Sequence, residues 1–203
     1  MQAEGRVGLI SASEGTINPL RTDVGGALVT QATGKYREAT EAGRIFAVAN
    51  QAAVTTVDDF TLIYTGLTIY NPVGSGKNLS MLGFGFAVSV ILDTAITHVG
   101  LMTGTGAAAA AKAIVARNRL SGGPASVANC DDGHTFTVAP VLEQVFQTFD
   151  MSANFDTFYS PTVNWVDLDG SMIITPGYHV SVYHEKGNTS GFIHSFLWEE
   201  YTP

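Results

Sequence analysis

The stretch NLSMLGFGFAVSVIL, residues 78–92, decides the fold. Its apolar residues recur at alternate positions: Leu79, Met81 or Leu82, Phe84, Phe86, Val88 and Val90. Successive side chains of a strand point to opposite faces, so from Leu82 to Val90 the bulky residues point one way. Gly83, Gly85, Ala87 and Ser89 point the other way. One large and one small face predict a strand with a core on one side and a closely packed sheet or subunit on the other.

The flanking segments carry the same period. VTTVDDFTLIYTGLTIYNP (54–72) alternates and is rich in β-branched and aromatic residues, and RIFAVANQ (44–51) and ITHVGLMTG (96–104) are shorter examples. HTFTVAPVLEQVFQTF (134–149), residues 161–168, SMIITPGYHVSVYHEKG (171–187) and TSGFIHSFLWEEY (189–201) are strand-like runs divided by Gly, Pro, Asn and Asp. About eight to ten strands with few helices predict an antiparallel, all-β, jelly-roll-like sandwich. One short helix of about two turns fits KYREATEAGR (35–44), between Gly34 and Gly43. The alanine-rich stretch 107–113 suits helix by propensity and a loop or short strand by context. Residues 1–26 show no period and are expected to be an extended arm that attaches to a partner; residues 27–203 are expected to form the β-domain.

Charged residues make up only 14% of the chain, against about 25% in an average soluble domain, while 45% is hydrophobic. This deficit predicts surface buried against copies or partners, and a homo-oligomer, most simply a trimer. A net charge of −8 excludes a nucleic-acid backbone as the main partner. The absence of a run of about 18 apolar residues excludes a membrane-spanning helix. The N-terminus lacks the basic start and apolar core of a signal peptide, and the single cysteine, Cys130, suits assembly in a reducing cytosol.

NPVGSGKNLS (71–80) invites a phosphate-loop reading and fails it. Asn71 stands where the first glycine belongs, and Asn78 where a hydroxyl should meet magnesium. A hairpin-type connection fits better, with Gly74 and Gly76 at positive φ. GFGFAV lacks the third glycine and the helix of a dinucleotide loop. His179 and His184 fall on opposite faces of one strand, so with His194 they are expected to be exposed or interface residues and not a metal site. The acid pairs Asp58/Asp59, Asp131/Asp132, Asp167/Asp169 and Glu199/Glu200 are expected at strand ends or turns, solvated. Phe192, His194, Phe196 and Trp198 share one face and are expected to close a core or a subunit interface. No catalytic, cofactor or metal residues are assigned, and the chain is expected to be non-enzymatic.

GGALVTQATGKYREATEAGRIFAVANQA (25–52), TGLTIYNPVGSGKNLSMLGFGFAV (65–88) and IITPGYHVSVY (173–183) together resemble small virion structural proteins of tailed bacteriophages. The resemblance rests on Gly34-Lys35-Tyr36-x-Glu38-Ala39 and on the Asn71–Lys77 turn. It implies an oligomeric β-fold in the virion, assembled in the host cytoplasm. The expected role is a capsid decoration or cement protein that binds the major capsid protein and stabilises the head. A tail or fibre component, a carbohydrate-binding receptor domain and a cupin-type metalloenzyme are the alternatives.

Overall fold

The computed structural model describes residues 34–52, 62–90, 96–106, 109–110, 113–150, 164–184 and 191–203. The chain divides into two compact units, Met1–Arg37 and Glu38–Pro203. In the first unit a turn at 34–37 closes where the Arg37 N–H donates to the Gly34 carbonyl at 2.9 Å. The arm expected at 1–26 lies outside the described residues.

The second unit is nearly all antiparallel β. The decisive stretch forms β3 (Asn78–Val90), the longest strand among the described residues. Before it come β1 (Ile45–Ala49) and β2 (Ile63–Tyr70), and after it β4 (Ile96–Thr105). The short strands β5 (Ala109–Ala110), β6 (Ala113–Ile114) and β7 (Arg117–Asn118) precede β8 (Asn129–Thr135). The chain ends with β9 (Val141–Asp150), β10 (Asn164–Ile174), β11 (Tyr178–His184) and β12 (Gly191–Tyr201). The described part of the alanine-rich stretch is thus strand, paired to β8.

One sheet has the order β10-β3-β12-β1-β7; the other runs β5-β8-β2-β11-β4-β9, with β6 also on β8. The pairings nest: β1 with β12, β2 with β11, β3 with β10 and β4 with β9. A long hairpin rolled up so that its strands alternate between two sheets gives this pattern, which is the jelly roll. The insertion between β4 and β9 adds β7 to the β1 edge of one sheet and β8 to the β2 edge of the other. Among the described residues β9 and β10 keep open edges.

The helix is shorter than its sequence suggests. The only described helix, α1 (Arg37–Glu41), stops where Gly43 takes φ 70°. Gly43 N–H donates to Thr40 and Arg44 N–H to Ala39, the paired bonds that close a helix on a left-handed residue. Arg44 then turns to Glu199, 2.9 Å away.

The core lies between the sheets. β3 supplies Leu79, Met81, Phe84 and Phe86; β12 supplies Phe192, Phe196 and Trp198; the opposite sheet supplies Leu67, Ile69, Val99, Leu101, Val180 and Val182. The choice between Met81 and Leu82 is settled by a bulge. Leu197 pairs with Gly83 and Trp198 with Met81, which leaves Leu82 as the extra residue. That extra residue resets the alternation, so that Met81 and Phe84 both face the core. Phe84 is the hub: its ring centroid lies 5.1 Å from Phe196, 5.5 Å from Phe86, 6.0 Å from Phe146 and 6.2 Å from His194.

NPVGSGKNLS is not a hairpin. β2 and β3 belong to different sheets, so residues 71–77 arch across the sandwich. Gly74 and Gly76 do take φ 81° and 68°. Asn71 is buried and holds the arch: its amide donates to the carbonyls of Lys77 (2.8 Å) and Ile174 (2.9 Å), while Ser75 donates to its oxygen at 2.6 Å.

Phe84→Ala is expected to destabilise the domain by about 3–5 kcal/mol, the cost of emptying a closely packed aromatic site. Urea unfolding measures it, and a loss under about 1 kcal/mol would contradict Phe84's place at the centre of the packing.

Candidate functional site

The histidines depart furthest from expectation. His179, His184 and His194 are buried, not exposed. His179 and His184 do face opposite sides of β11. His179 stacks on Phe136 with centroids 4.3 Å apart, and its Nδ1 lies 3.2 Å from the Ser181 hydroxyl. His184 points into the sandwich and meets His194 of the facing sheet, Nε2 to Nε2 at 2.8 Å. Such a contact needs one proton between two neutral rings, so the two imidazoles hold opposite tautomers. Neither Nδ1 has a hydrogen-bond partner among the described residues. Phe192 packs on both rings, and Asn50 accepts the His194 backbone N–H. Burial pushes His194 down to about 3 and His184 well below its ordinary value, with the neighbouring His194 adding to the latter. Among the described residues no group of three or more His, Cys, Asp or Glu gathers as a metal site requires.

Two acid pairs also differ from expectation. Asp131 and Asp132 lie within β8 and are buried; they are not in a solvated turn. Glu200 is buried too, and its carboxylate accepts from the Ser126 hydroxyl, the Val127 N–H and the Trp198 indole. The Ser126 and Val127 donors fasten the insertion to β12. Cys130 sits between these acids. Burial first, then Glu200 and Asp131, push its thiol up to about 12. Asp167 lies in β10 and Asp169 at its bulge, with φ 49°. Asp58 and Asp59 lie outside the described residues. The aromatic stripe Phe192, His194, Phe196 and Trp198 closes the core as its alternation requires.

The candidate site lies on the other face of the same sheet. Gly83 and Gly85 point outward, and the indole of Trp165 lies over them. A Cβ at Gly83 would fall 2.1 Å from its Cζ2, and one at Gly85 2.9 Å from its Cε3. The Trp165 Nε1–H donates to Asp167 at 2.9 Å, which fixes the ring, yet 48% of the residue stays exposed. The small face of β3 is therefore a seat for an aromatic plate. Next to it Ser195 and Leu197, then Ala47 and Ala49, form a floor. Arg117 and Arg119 stand on the far side, with Arg117 opposite Ala47. The groove measures about 790 Å³, within the range of small-ligand sites. The sequence pattern exposed the small face but not its occupant, because Trp165 comes from a strand far away in the chain.

No family model matches this chain, nor does any curated protein or solved structure.

Two outcomes follow from the buried groups. The unfolded chain protonates His184 and His194 near 6.5, whereas the fold holds both neutral to lower pH. Stability is then full above about pH 6.5 and falls as pH drops toward 3, since the unfolded state binds more protons in that window. Between pH 7.5 and 5.5 the expected loss is on the order of 1 kcal/mol for each histidine. The double variant His184→Leu/His194→Leu should show a correspondingly smaller drop in urea titrations; an unchanged drop would contradict the assignment. The Cys130 thiol should resist a disulfide reagent in the native protein at pH 8 and react fully in denaturant. Rapid native labelling would place the thiol elsewhere.

Proposed function

We propose that this chain is a non-enzymatic structural protein of a virion, a jelly roll that assembles with copies of itself and seats on the major capsid protein as a decoration or cement. The observation that supports it most is the open strand β9. Val141, Leu142 and Val145 are exposed there, on an edge that no described strand covers. A long apolar edge strand invites pairing or packing, and monomeric proteins usually blunt theirs. Here the β1 and β2 sides carry the added strands β7 and β8 of the insertion, while β9 is left with its apolar side chains in water. The low charge of the chain agrees with this reading, which is the one expected from the motifs at 34–39 and 71–77. The jelly roll itself serves many functions and adds a weaker, fold-level argument.

Light scattering at micromolar concentration should give a multiple of 21.4 kDa, three-fold for the trimer. Val145→Lys should shift it to the mass of one chain while leaving the far-ultraviolet spectrum unchanged. A wild-type monomer under these conditions would refute the assembly. Cryo-electron microscopy of particles that carry the chain tests the location, with density on the head lattice as the expected result.

A further inference from the structure

We propose that the groove on the outer face of the β10-β3-β12-β1-β7 sheet binds an acidic saccharide, stacked on Trp165 and held through its carboxylate or sulfate by Arg117 and Arg119. The site is separate from the β9 edge and does not depend on the assembly role.

Three features carry the inference. The first is the plate. Gly83 and Gly85 leave room for the indole to lie flat, Asp167 anchors its N–H, and the residue remains half-exposed. A rigid, open aromatic face suits the C–H face of a pyranose ring and loses little entropy when it is covered. The second is the charge. The chain as a whole carries −8, yet Arg117 in β7 and Arg119 just past its end both line the groove. Both are exposed, and no carboxylate among the described residues pairs with either. Unpaired guanidinium forks are matched to carboxylate or sulfate oxygens. The third is the floor. Ala47 and Ala49 present methyl groups, and Ser195 presents a hydroxyl. Gln51 donates to the Ala49 carbonyl at 2.8 Å, which leaves its own amide oxygen available to accept from a sugar hydroxyl. A surface with a flat aromatic plate, small apolar floor, scattered hydroxyl partners and cations at one end matches the mixed chemistry of an acidic sugar.

The scale agrees. The glycines under the indole and Arg117 are separated by β12 and β1, three strand spacings or about 14 Å. That span exceeds a single ring, so an oligosaccharide with its charged unit at the β7 end is the fitting ligand.

The test is titration of the full chain, by calorimetry and tryptophan fluorescence, with sialyllactose, trigalacturonate and a heparin tetrasaccharide. Lactose and maltotriose are the neutral controls, and oligoglutamate is the charged control without sugar. At least one acidic saccharide should bind and perturb the emission of Trp165, the exposed one of the two tryptophans. Trp165→Ala should weaken that binding about tenfold or more, the usual loss for a central aromatic anchor. Arg117→Ala/Arg119→Ala should reduce the acidic saccharide to the affinity of its neutral counterpart, with an unchanged melting temperature. Trp165→Phe serves as a second variant, retaining a ring and an intermediate affinity. Absence of binding by every acidic saccharide overturns the proposal. So does equal binding of oligoglutamate, which would mark an acidic peptide surface, or an affinity unchanged in Trp165→Ala.

Discussion

The contact between Phe84 and Phe196 joins β3 to β12, and those two strands are the middle of their sheet. The geometry of the rest follows from keeping both phenyl rings inside. Phe84 and Phe86 point inward only if Gly83 and Gly85 point outward, because the strand period allows nothing else. The bulge at Leu82 is the correction that brings Leu79 and Met81 into the same core. Without it, every residue before Leu82 would face the wrong side. The outward glycines then admit the Trp165 indole, so the core and the candidate site are two faces of one packing decision.

Polar groups inside this sandwich are not errors of patterning. Asn71 satisfies the carbonyls of Lys77 and Ile174 at an arch where no ladder can run. Glu200 collects donors from the insertion, and without that carboxylate the Val127 N–H and Ser126 hydroxyl would lose their acceptor. The His184–His194 pair differs from both. It satisfies one nitrogen of each ring and leaves the other without a described partner, which costs about 1–3 kcal/mol per group by ordinary accounting. Its burden grows as pH falls, because a buried imidazolium is worse than a buried imidazole.

The sandwich was legible because alternation is a local signal, and the runs 78–92 and 189–201 carry it in full. The rolled topology follows the same signal once the strands are placed. The histidines were not legible. Spacing along β11 does separate His179 from His184, but the partner of His184 comes from the facing sheet, and no periodicity reports contacts across a core. The same limit hid the acids of β8. Asp131 and Asp132 resemble a turn in sequence, yet they follow Cys130 within β8 and both are buried. The arch at 71–77 looked like a hairpin because its turn chemistry is identical; only the pairing of β3 with β10 and β12 distinguishes them. Trp165 was the hardest to see, since its seat is written in two glycines more than 70 positions earlier in the chain.

The insertion between β4 and β9 treats the two sheet faces differently. Phe136, just beyond β8, stacks on His179 at 4.3 Å and on Tyr64 at 5.5 Å, and so covers the outer face of the β11-containing sheet. Tyr64, Phe136 and Met102 make a second small core there. The same insertion adds β7 to the edge of the other sheet, is fastened to β12 through Glu200, and contributes Arg117 and Arg119 as a wall of the groove. Had it also covered that face, the Trp165 plate would be buried and the arginines would need partners. One segment thus lays an aromatic residue over His179 and Tyr64 on one sheet and borders the groove of the other with cations, so the two sheet faces differ in chemistry although the strands pair alike.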